Sequence, residues 1–153
     1  MDPFFLFTIE GRRFALELRL VDRVVAAVTV TPLSDGPDTV MGVIDLHGEV
    51  LPVVDLRKRI RFPERPVRLD DSMVVARTPR RALAFFADTL EGVVDGPEGS
   101  LVPADEVVPG LEFVRGVMQV GEGLALIHDL DRLLSLEDQE RLDRALEGGA
   151  DAG

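Results

Sequence analysis

Two short apolar runs flank a polar turn about one third of the way along the chain. The first run covers residues 40–46, the turn is His47-Gly48-Glu49, and the second run covers residues 50–54. Glycine adopts positive φ without strain, so this pattern predicts a β-hairpin with Gly48 in its turn. Asp55 follows at the position of a helix N-cap, which predicts a short helix over residues 56–60.

The hairpin and its helix occur twice in the sequence. A shift of 74 positions places residues 114–118 on residues 40–44 and residues 128–134 on residues 54–60, with Val, Gly, Val, Asp and Leu recurring in place. A shift of about 68 positions places residues 80–85 on residues 12–17. Hairpins can resemble one another by chance, but two matches in the same order and at similar spacing indicate two related units in one chain.

Signals of the same kind predict the remaining elements. Apolar residues at near-helical spacing predict one or two helical turns over residues 18–25, before extended structure at residues 28–30 and a Pro/Gly loop at residues 31–37. The other predicted elements are an opening hairpin at residues 5–16, strands at residues 73–76 and 82–87 continuing through residues 88–94, a second hairpin at residues 113–127, a helix capped by Asp129 over residues 130–134, and a final helix capped by Ser135.

Many short strands at regular intervals predict a mostly β fold. Antiparallel hairpins joined by short helices favour small closed barrels over a parallel α/β sheet. Two barrels side by side fit the repeat, and closure removes edges that a run such as residues 50–54 would expose. The apolar stripe of Leu142, Ala145 and Leu146 predicts a C-terminal helix over about residues 136–147, with a frayed tail at residues 148–153.

Composition narrows the classes of function. The chain has 153 residues and no cysteine, which excludes disulfides, thiolate nucleophiles and cysteine-ligated metals. Its net charge of −11 disfavours nucleic acid as a partner. Apolar runs are much shorter than the ~20 residues of a membrane span, and the N-terminal residues lack the basic segment of a signal peptide. We therefore expect a cytoplasmic protein without direct membrane insertion.

A local group of cations contrasts with this acidic background. The group surrounds a linker with two prolines and consists of Arg57, Lys58, Arg59, Arg61, Arg65 and Arg68. In most proteins such a group is a solvated helix end and linker. The functional alternative is a docking surface for an acidic partner.

Candidate catalytic groups are few. His47 and His128 each lie near an aspartate, but a spacing such as His-x-x-x-His, which would indicate a metal site, is missing. Asp55 and Asp129 occupy matching positions of the repeat and leave open a carboxylate-dependent hydrolase, although helix capping already explains both. We expect no catalytic residues, no metal and no cofactor, and hence a binding or scaffolding protein rather than an enzyme.

Three stretches together resemble the CheW-like coupling domain of bacterial chemosensory systems. They are Phe-Thr-Ile-Glu-Gly-Arg-Arg-Phe-Ala-Leu at residues 7–16, Val-Met-Gly-Val-Ile-Asp-Leu-His-Gly-Glu-Val-Leu-Pro-Val-Val-Asp-Leu-Arg at residues 40–57, and His-Asp-Leu-Asp-Arg-Leu-Leu at residues 128–134. The likeness extends from about residue 5 to residue 134. Its most specific part is the family pattern Gly-Val-Ile-Asn-Leu-Arg-Gly followed by Pro-Val-Val-Asp-Leu, which this chain keeps except at two polar positions.

The resemblance implies one CheW-like domain over residues 1–147, with two five-stranded barrels of the Src-homology-3-like kind and a hydrophobic core between them. Subdomain one would cover about residues 12–71 plus closing strands, and subdomain two about residues 72–134. The resemblance also implies a non-enzymatic adaptor. Such an adaptor links the cytoplasmic tips of methyl-accepting chemoreceptors, which dock as helical hairpins between the barrels, to the regulatory domain of a CheA-type histidine kinase at receptor arrays.

Partner-binding positions carry over from the family by the same resemblance. Val21, Gly42 and the segment from Asp88 to Leu90 match family patterns, and their implied role is to form apolar and close-packed parts of partner surfaces. For Val21, simple core packing is the alternative. The full set of expected partner-binding residues is Val21, Arg23, Gly42, Asp45, His47, Gly48, Asp88 and Leu90.

Two of these positions depart from the family. The family usually has Glu at the position of Arg23 and Arg at the position of His47. Charges at the rim of an interface set partner choice and encounter rate, so altered charges can exclude an old partner. Our hypothesis is a divergent coupling protein whose partner carries compensating changes. The alternative is an accessory receptor-side regulator that does not bind or activate the kinase.

Overall fold

The structure is a computed structural model that describes residues 3–59, 62–68, 70–96, 102–103, 114–121 and 123–152. Its strands are β1 (Pro3–Ile9), β2 (Arg12–Glu17), β3 (Val21–Ala26), β4 (Val40–Leu46), β5 (Glu49–Val54), β6 (Ser72–Arg77), β7 (Ala82–Ala87), β8 (Thr89–Asp95), β9 (Val102–Pro103), β10 (Val114–Val120) and β11 (Gly123–His128). The α-helices are α1 (Leu56–Arg59) and α2 (Leu136–Ala152), and two short 3-10 turns cover Leu18–Leu20 and Leu130–Arg132.

These strands form two sheets with the same internal order. The first sheet has the order β3-β6-β7-β5-β4, and the second has the order β8-β1-β2-β11-β10, with the two-residue β9 added at its edge. In each sheet one parallel pair, β5 with β7 or β11 with β2, joins antiparallel neighbours. The predicted mostly β fold of two related five-stranded units, with short helices and a C-terminal helix, is confirmed.

The sequence repeat corresponds to these sheets strand by strand. Hairpins β4–β5 and β10–β11 occupy equivalent places, and both shift register at the same repeat position, between Val40 and Gly42 and between Val114 and Gly116. The opening hairpins are exchanged, however, because β1 and β2 pair in the second sheet while β6 and β7 pair in the first. Each sheet therefore contains strands from both halves of the chain.

This exchange bears on the expected subdomains. Residues 12–17, expected in subdomain one, form β2 of the second sheet, and β6 and β7 are the strands that complete the first sheet. Sheet membership therefore does not follow chain order, and the expected limits of the two subdomains stay a prediction.

Among the residues that the structure describes, the hydrophobic core has three parts. The largest lies between the sheets and joins side chains of both, with Phe7 of the second sheet 5.2 Å from Phe85 of the first between ring centroids. A smaller cluster lies within each sheet. Strand β5 shows the consequence, since Val53 packs within the first sheet and Val54 packs between the sheets. Burial on both faces explains why such strands read as continuous apolar runs.

Three local predictions differ from the structure. The helix expected over residues 18–25 is wrong beyond Leu18–Leu20, because residues 21–26 pair with β6 and alternate between half-buried and exposed, as a strand does. Residues 28–30 lie outside the strands, and only Thr31 makes an isolated bridge, to Val43. The strand expected to continue through residues 88–94 is interrupted at Asp88, where the chain crosses from the first sheet to the second.

The C-terminal helix is longer than expected. It runs from Leu136 to Ala152, so residues 148–152 continue the helix rather than fray, and residue 153 lies outside the described ranges. Its predicted cap is confirmed, because the Asp138 N–H donates to Ser135 Oγ at 3.1 Å. Leu142 and Leu146 pack on the core between the sheets. None of the helices in the described parts of the chain combines the length and apolarity needed to cross a membrane.

Candidate partner-binding surface

The turn between β4 and β5 is a tight two-residue connection. His47 and Gly48 have φ of 54° and 90°, and positive φ at both central residues is what a type I′ hairpin turn requires. The carboxylate of Asp45 fixes the turn, since its Oδ1 accepts the Gly48 N–H at 2.8 Å. The His47 side chain is exposed. The predicted hairpin is confirmed, and its turn presents His47 to solvent.

A cluster of four charged residues lies beside this turn. We call it the Glu49 cluster, and it comprises Asp22, Arg23, Glu49 and Arg77. Arg23 Nη2 of β3 lies 3.2 Å from Glu49 Oε1, and Arg77 Nη2 of β6 lies 3.1 Å from Glu49 Oε2. Arg77 Nη2 also lies 3.5 Å from Asp22 Oδ2. The structure thus brings Arg23 close to the turn of Asp45, His47 and Gly48, although these segments are far apart in the sequence.

The Glu49 cluster shapes the surface charge more than the stability. Its side chains are between 34% and 51% exposed, and ion pairs this exposed add little to stability because water screens them. Hydrogen bonding to Glu49 raises the pKa of Arg77 above its usual value. The carboxylate that accepts from Arg23 Nη2 belongs to Glu49, two residues after His47. Sequence reasoning missed Glu49 and Arg77; the only available signal was that Glu49 and His47 are two positions apart in the hairpin.

Val21 lies where the chain enters the first sheet. It follows the 3-10 turn Leu18–Leu20, begins β3, and is half-buried against the core between the sheets. Its side chain therefore has both a packed and an open part. The open part suits a contact with a partner at the junction of the sheets, and the packed part fits the core-packing role that the sequence left open.

Gly42 has a backbone role that the structure makes explicit. It is buried in β4 with φ of 156°, and a Cβ added there would lie 2.2 Å from the carbonyl oxygen of Thr31. Thr31 and Val43 exchange two backbone hydrogen bonds of 2.8 Å at this point. Glycine is needed because the loop backbone of Thr31 approaches β4 too closely for any side chain.

Asp88 is held by a second group of ion pairs. We call this group the Asp88 hub, and it comprises Glu10, Arg57, Arg65, Asp71 and Asp88. Arg57 Nη2 lies 2.8 Å from both carboxylate oxygens of Asp88, Arg65 Nη2 lies 2.7 Å from Oδ1, and the Glu10 N–H donates to Oδ2 at 2.9 Å. Arg57 also pairs with the Glu10 carboxylate. Asp88 thereby ties the β1–β2 turn, α1 and the linker before β6 to the crossing between the sheets.

The pKa values in this hub follow from its contacts. Burial opposes the charged form of Asp88, but the Glu10 N–H and the two arginines outweigh it and lower its pKa. Hydrogen bonds from Arg65 lower the pKa of Asp71, and the same carboxylates raise the pKa of Arg65. Asp88 thus stays ionised and engaged within the protein. Leu90, two residues on, lies in β8 beside Phe7 of β1 and is 36% exposed.

The group of cations around the linker is largely engaged inside the molecule. Arg57 and Arg65 belong to the Asp88 hub, and Arg59 Nε donates to the carbonyl oxygen of Leu133 at 3.0 Å. Lys58 and Arg68 are exposed, and Arg61 lies outside the described residues. These contacts reduce the cations left for an acidic docking partner and give the linker arginines an internal role.

The carboxylates considered for catalysis cap short helices. Asp55 Oδ1 accepts the Lys58 N–H at 3.1 Å, and Asp129 Oδ1 accepts the Asp131 N–H at 3.2 Å. His128 is 2% exposed, in contrast to the exposed His47. Within the described ranges, His, Asp and Glu side chains form no group of three or more with the arrangement of a metal site.

Comparison with known proteins identifies the family. A sequence model described as the CheW-like domain matches residues 3–138. The protein "Chemotaxis protein CheW" of Klebsiella aerogenes is 26% identical over 146 residues, covering 93% of this chain and 87% of its own. A protein of the same name from Thermotoga maritima is 27% identical over 130 residues, covering 84% of each chain.

A solved structure shows the same fold. The scaffolding protein TtCheW from Thermoanaerobacter tengcongensis superposes with a TM-score of 0.81 at 23% identity, over 90% of this chain and 94% of its own. The family match covers both sheets, the β4–β5 turn and the start of α2. This chain belongs to the CheW-like domain family.

Proposed function

We propose that this protein is a chemotaxis scaffold that couples methyl-accepting chemoreceptors to the regulatory domain of a CheA-type histidine kinase in the cytoplasm, at receptor arrays. The observation that carries the proposal is the family match over residues 3–138. It is joined by the similarity to relatives named as chemotaxis proteins, which this chain matches over most of their length. A scaffold needs surfaces rather than a reaction centre. The caps formed by Asp55 and Asp129 are consistent with this, since both carboxylates already have structural contacts.

The surface that best suits a partner runs from Val21 to the β4–β5 turn. It joins a half-buried apolar residue at the sheet junction, the charged Glu49 cluster and the exposed His47. An apolar anchor beside charged groups is a common arrangement for a specific interface, because burial gives affinity and charge gives partner choice. In this proposal Gly42 supports the surface through close packing, and Asp88 supports it through the hub rather than by contact.

Binding assays with both proposed partners test the function. The purified protein is tested for binding to the regulatory domain of the cognate kinase and, separately, to the receptor cytoplasmic tip. Binding to both supports the coupling role, and kinase activity reconstituted with and without the protein measures the coupling itself. Binding to neither partner would sink the proposal, and binding to the receptor alone would indicate an accessory receptor-side regulator.

Val21→Arg is expected to weaken receptor binding about tenfold or more, which corresponds to about 1.4 kcal/mol. The reason is that a charged side chain replaces the open part of an apolar contact residue. The measurement is a titration with the receptor tip, with circular dichroism to verify the fold. Leu124→Arg is the control, because it adds the same charge at an exposed apolar residue of β11 in the second sheet, away from Val21 and the Glu49 cluster, and should leave affinity unchanged. Equal affinity for all three proteins would argue against Val21 as a contact.

Reversing the charges of the Glu49 cluster is expected to weaken partner binding, with little effect on stability. Arg23→Glu and Glu49→Arg should each weaken affinity about tenfold at low salt, and the loss should shrink at high salt because rim charges are screened. The double variant restores an internal ion pair with reversed polarity. If the partner recognises the polarity of this ion pair, the affinity of the double variant stays low. Full recovery of affinity would show that only the internal ion pair matters.

A further inference from the structure

The linker between α1 and β6 contains a segment that is not held by the hydrogen bonds of a sheet. We call residues 62–68 the strap. The strap has no regular secondary structure, and most of its side chains are exposed, with Phe62 and Arg65 half-buried. Segments that lack ladder hydrogen bonds and buried apolar contacts open at a lower free-energy cost than sheets do. The backbone of the strap is tied to neighbouring residues at both ends: the Phe62 N–H donates to the Arg57 carbonyl oxygen at 2.7 Å, and the Arg68 N–H donates to Asp71 Oδ2 at 2.8 Å. The Pro63 carbonyl oxygen also accepts from Arg57 Nη1 at 3.2 Å. The side chains of Phe62 and Arg65 add the contacts that join the strap to the two sheets.

Arg65 provides the main polar attachment. Its Nη2 lies 2.7 Å from Asp71 Oδ1 and 2.7 Å from Asp88 Oδ1, and its Nη1 lies 2.9 Å from Asp71 Oδ2. The Arg65 side chain is 16% exposed, so water screens these ion pairs less than it screens the Glu49 cluster. Phe62 adds an apolar attachment, with its ring 6.4 Å from Phe14 and the Arg12 guanidinium 5.7 Å above it.

A cavity of about 200 Å³ lies beneath the strap. Glu64, Arg65 and Val67 of the strap line one side of it. Met41 of β4, Val54 of β5 and Phe86 of β7 line the other side, next to the core. The strap therefore forms one wall of a cavity that is partly open to solvent. Asp55, Arg57, Asp71 and Asp88 also line this cavity.

The two carboxylates that Arg65 binds lie in different parts of the fold. At the crossing between the sheets, Asp88 is held by Arg57 and by the Glu10 N–H in addition to Arg65. Asp71 is fixed at the end of the linker, where it also accepts the Arg68 N–H at 2.8 Å. We propose that Arg65 and Asp88 form a latch, and that the strap opens as a unit to uncover the cavity while both sheets stay folded.

The position of Asp88 gives this latch a second consequence. The same carboxylate joins the strap to the crossing from β7 to β8, so the closed strap stiffens the connection between the two sheets. Opening the strap removes one of the two arginines from Asp88 and leaves the Arg57 pair in place. Opening of the strap thus changes the contacts of Asp88 at the sheet junction and leaves the junction itself intact.

Limited proteolysis with trypsin tests the latch on the full protein. The bond after Arg68 reports strap opening, while the bond after Arg65 precedes Pro66 and resists the enzyme. Cleavage of transiently opened segments follows the population of the open form when reclosing is fast. Arg65→Gln is expected to raise the cleavage rate after Arg68 at least about tenfold, and this rate should be insensitive to low concentrations of urea because opening is local.

Arg81→Gln is the matched control. Arg81 is also a largely buried arginine, 11% exposed, that donates to Gln139 at 2.8 Å and pairs with Asp143, away from the strap. It should leave cleavage after Arg68 unchanged. Asp88→Asn provides a second test, since it removes the charge of the carboxylate that Arg65 binds and should also raise the rate of cleavage after Arg68. The proposal is overturned if cleavage after Arg68 is unchanged in both Arg65→Gln and Asp88→Asn. It is also overturned if this cleavage rises only together with cleavage at all other sites, or if Arg81→Gln raises it by the same amount.

Discussion

Gly42→Ala is expected to lower the free energy of unfolding by about 3–4 kcal/mol, a large effect for one methyl group. The added Cβ would lie 2.2 Å from the carbonyl oxygen of Thr31, far inside van der Waals contact. Thr31 cannot move away easily, because its two 2.8 Å hydrogen bonds to Val43 hold the loop against β4. Urea unfolding of both proteins, followed by circular dichroism, measures the difference.

Gly48→Ala is the matched control for this prediction. Gly48 also has positive φ, 90°, but a Cβ there would meet nothing within 4 Å. Its cost should be limited to the backbone preference, roughly 1–2 kcal/mol. The difference between the two variants isolates the close approach of Thr31. Equal destabilisation by both substitutions would show that backbone conformation alone requires glycine at residue 42.

His128 is expected to make the protein lose stability as the pH falls below about 6.5. The ring is buried among Phe7 and Phe14, with centroid distances of 5.4 and 4.9 Å, and burial lowers its pKa to about 3. The unfolded chain binds this proton at its ordinary pKa of 6.5, so between these values the unfolded state holds more protons and is favoured by acid. At pH 5 the loss relative to neutral pH is about 2 kcal/mol.

Urea unfolding at several pH values between 4 and 7, for wild type and for His128→Phe, measures this effect. The phenyl ring keeps aromatic contacts with its neighbours but cannot bind a proton, so the variant should show a much flatter dependence. His47→Asn is the control, because residue 47 is exposed and asparagine tolerates its positive φ. The lowered pKa values of Asp71 and Asp88 contribute only near and below pH 4, a separate window. Equal slopes for wild type and His128→Phe would contradict the prediction.

Local elements were predictable because their signals are short-range. The turn at His47 and Gly48, the cap at Asp55 and the alternation of buried and exposed residues depend on neighbours within a few positions. The wrong prediction at residues 18–25 has the same origin. Valines near helical spacing suit a helix or a strand, and pairing with β6, about fifty residues away, made residues 21–26 a strand.

The candidate surface was predictable only in part. Family resemblance pointed to Val21, Arg23 and the β4–β5 turn, and the structure brings Arg23 and this turn together. It did not point to Glu49 as the acidic partner of Arg23, because that contact depends on how the first sheet curls. Asp88 was expected at a partner surface. In the structure Arg57 and Arg65 engage its carboxylate, and its place in a partner surface stays a prediction.

The sequence by itself determined that the chain contains two related sets of strands with matching hairpins and caps. The residues that favour turns and the spacing of apolar residues are both visible within short stretches of sequence. Only the tertiary structure decided that the opening hairpins are exchanged between the sheets. Hairpins β1–β2 and β6–β7 carry similar patterns, so either fits either sheet locally. The choice is made by packing between the sheets, where Phe7, Phe85 and His128 meet, and no local pattern encodes those contacts.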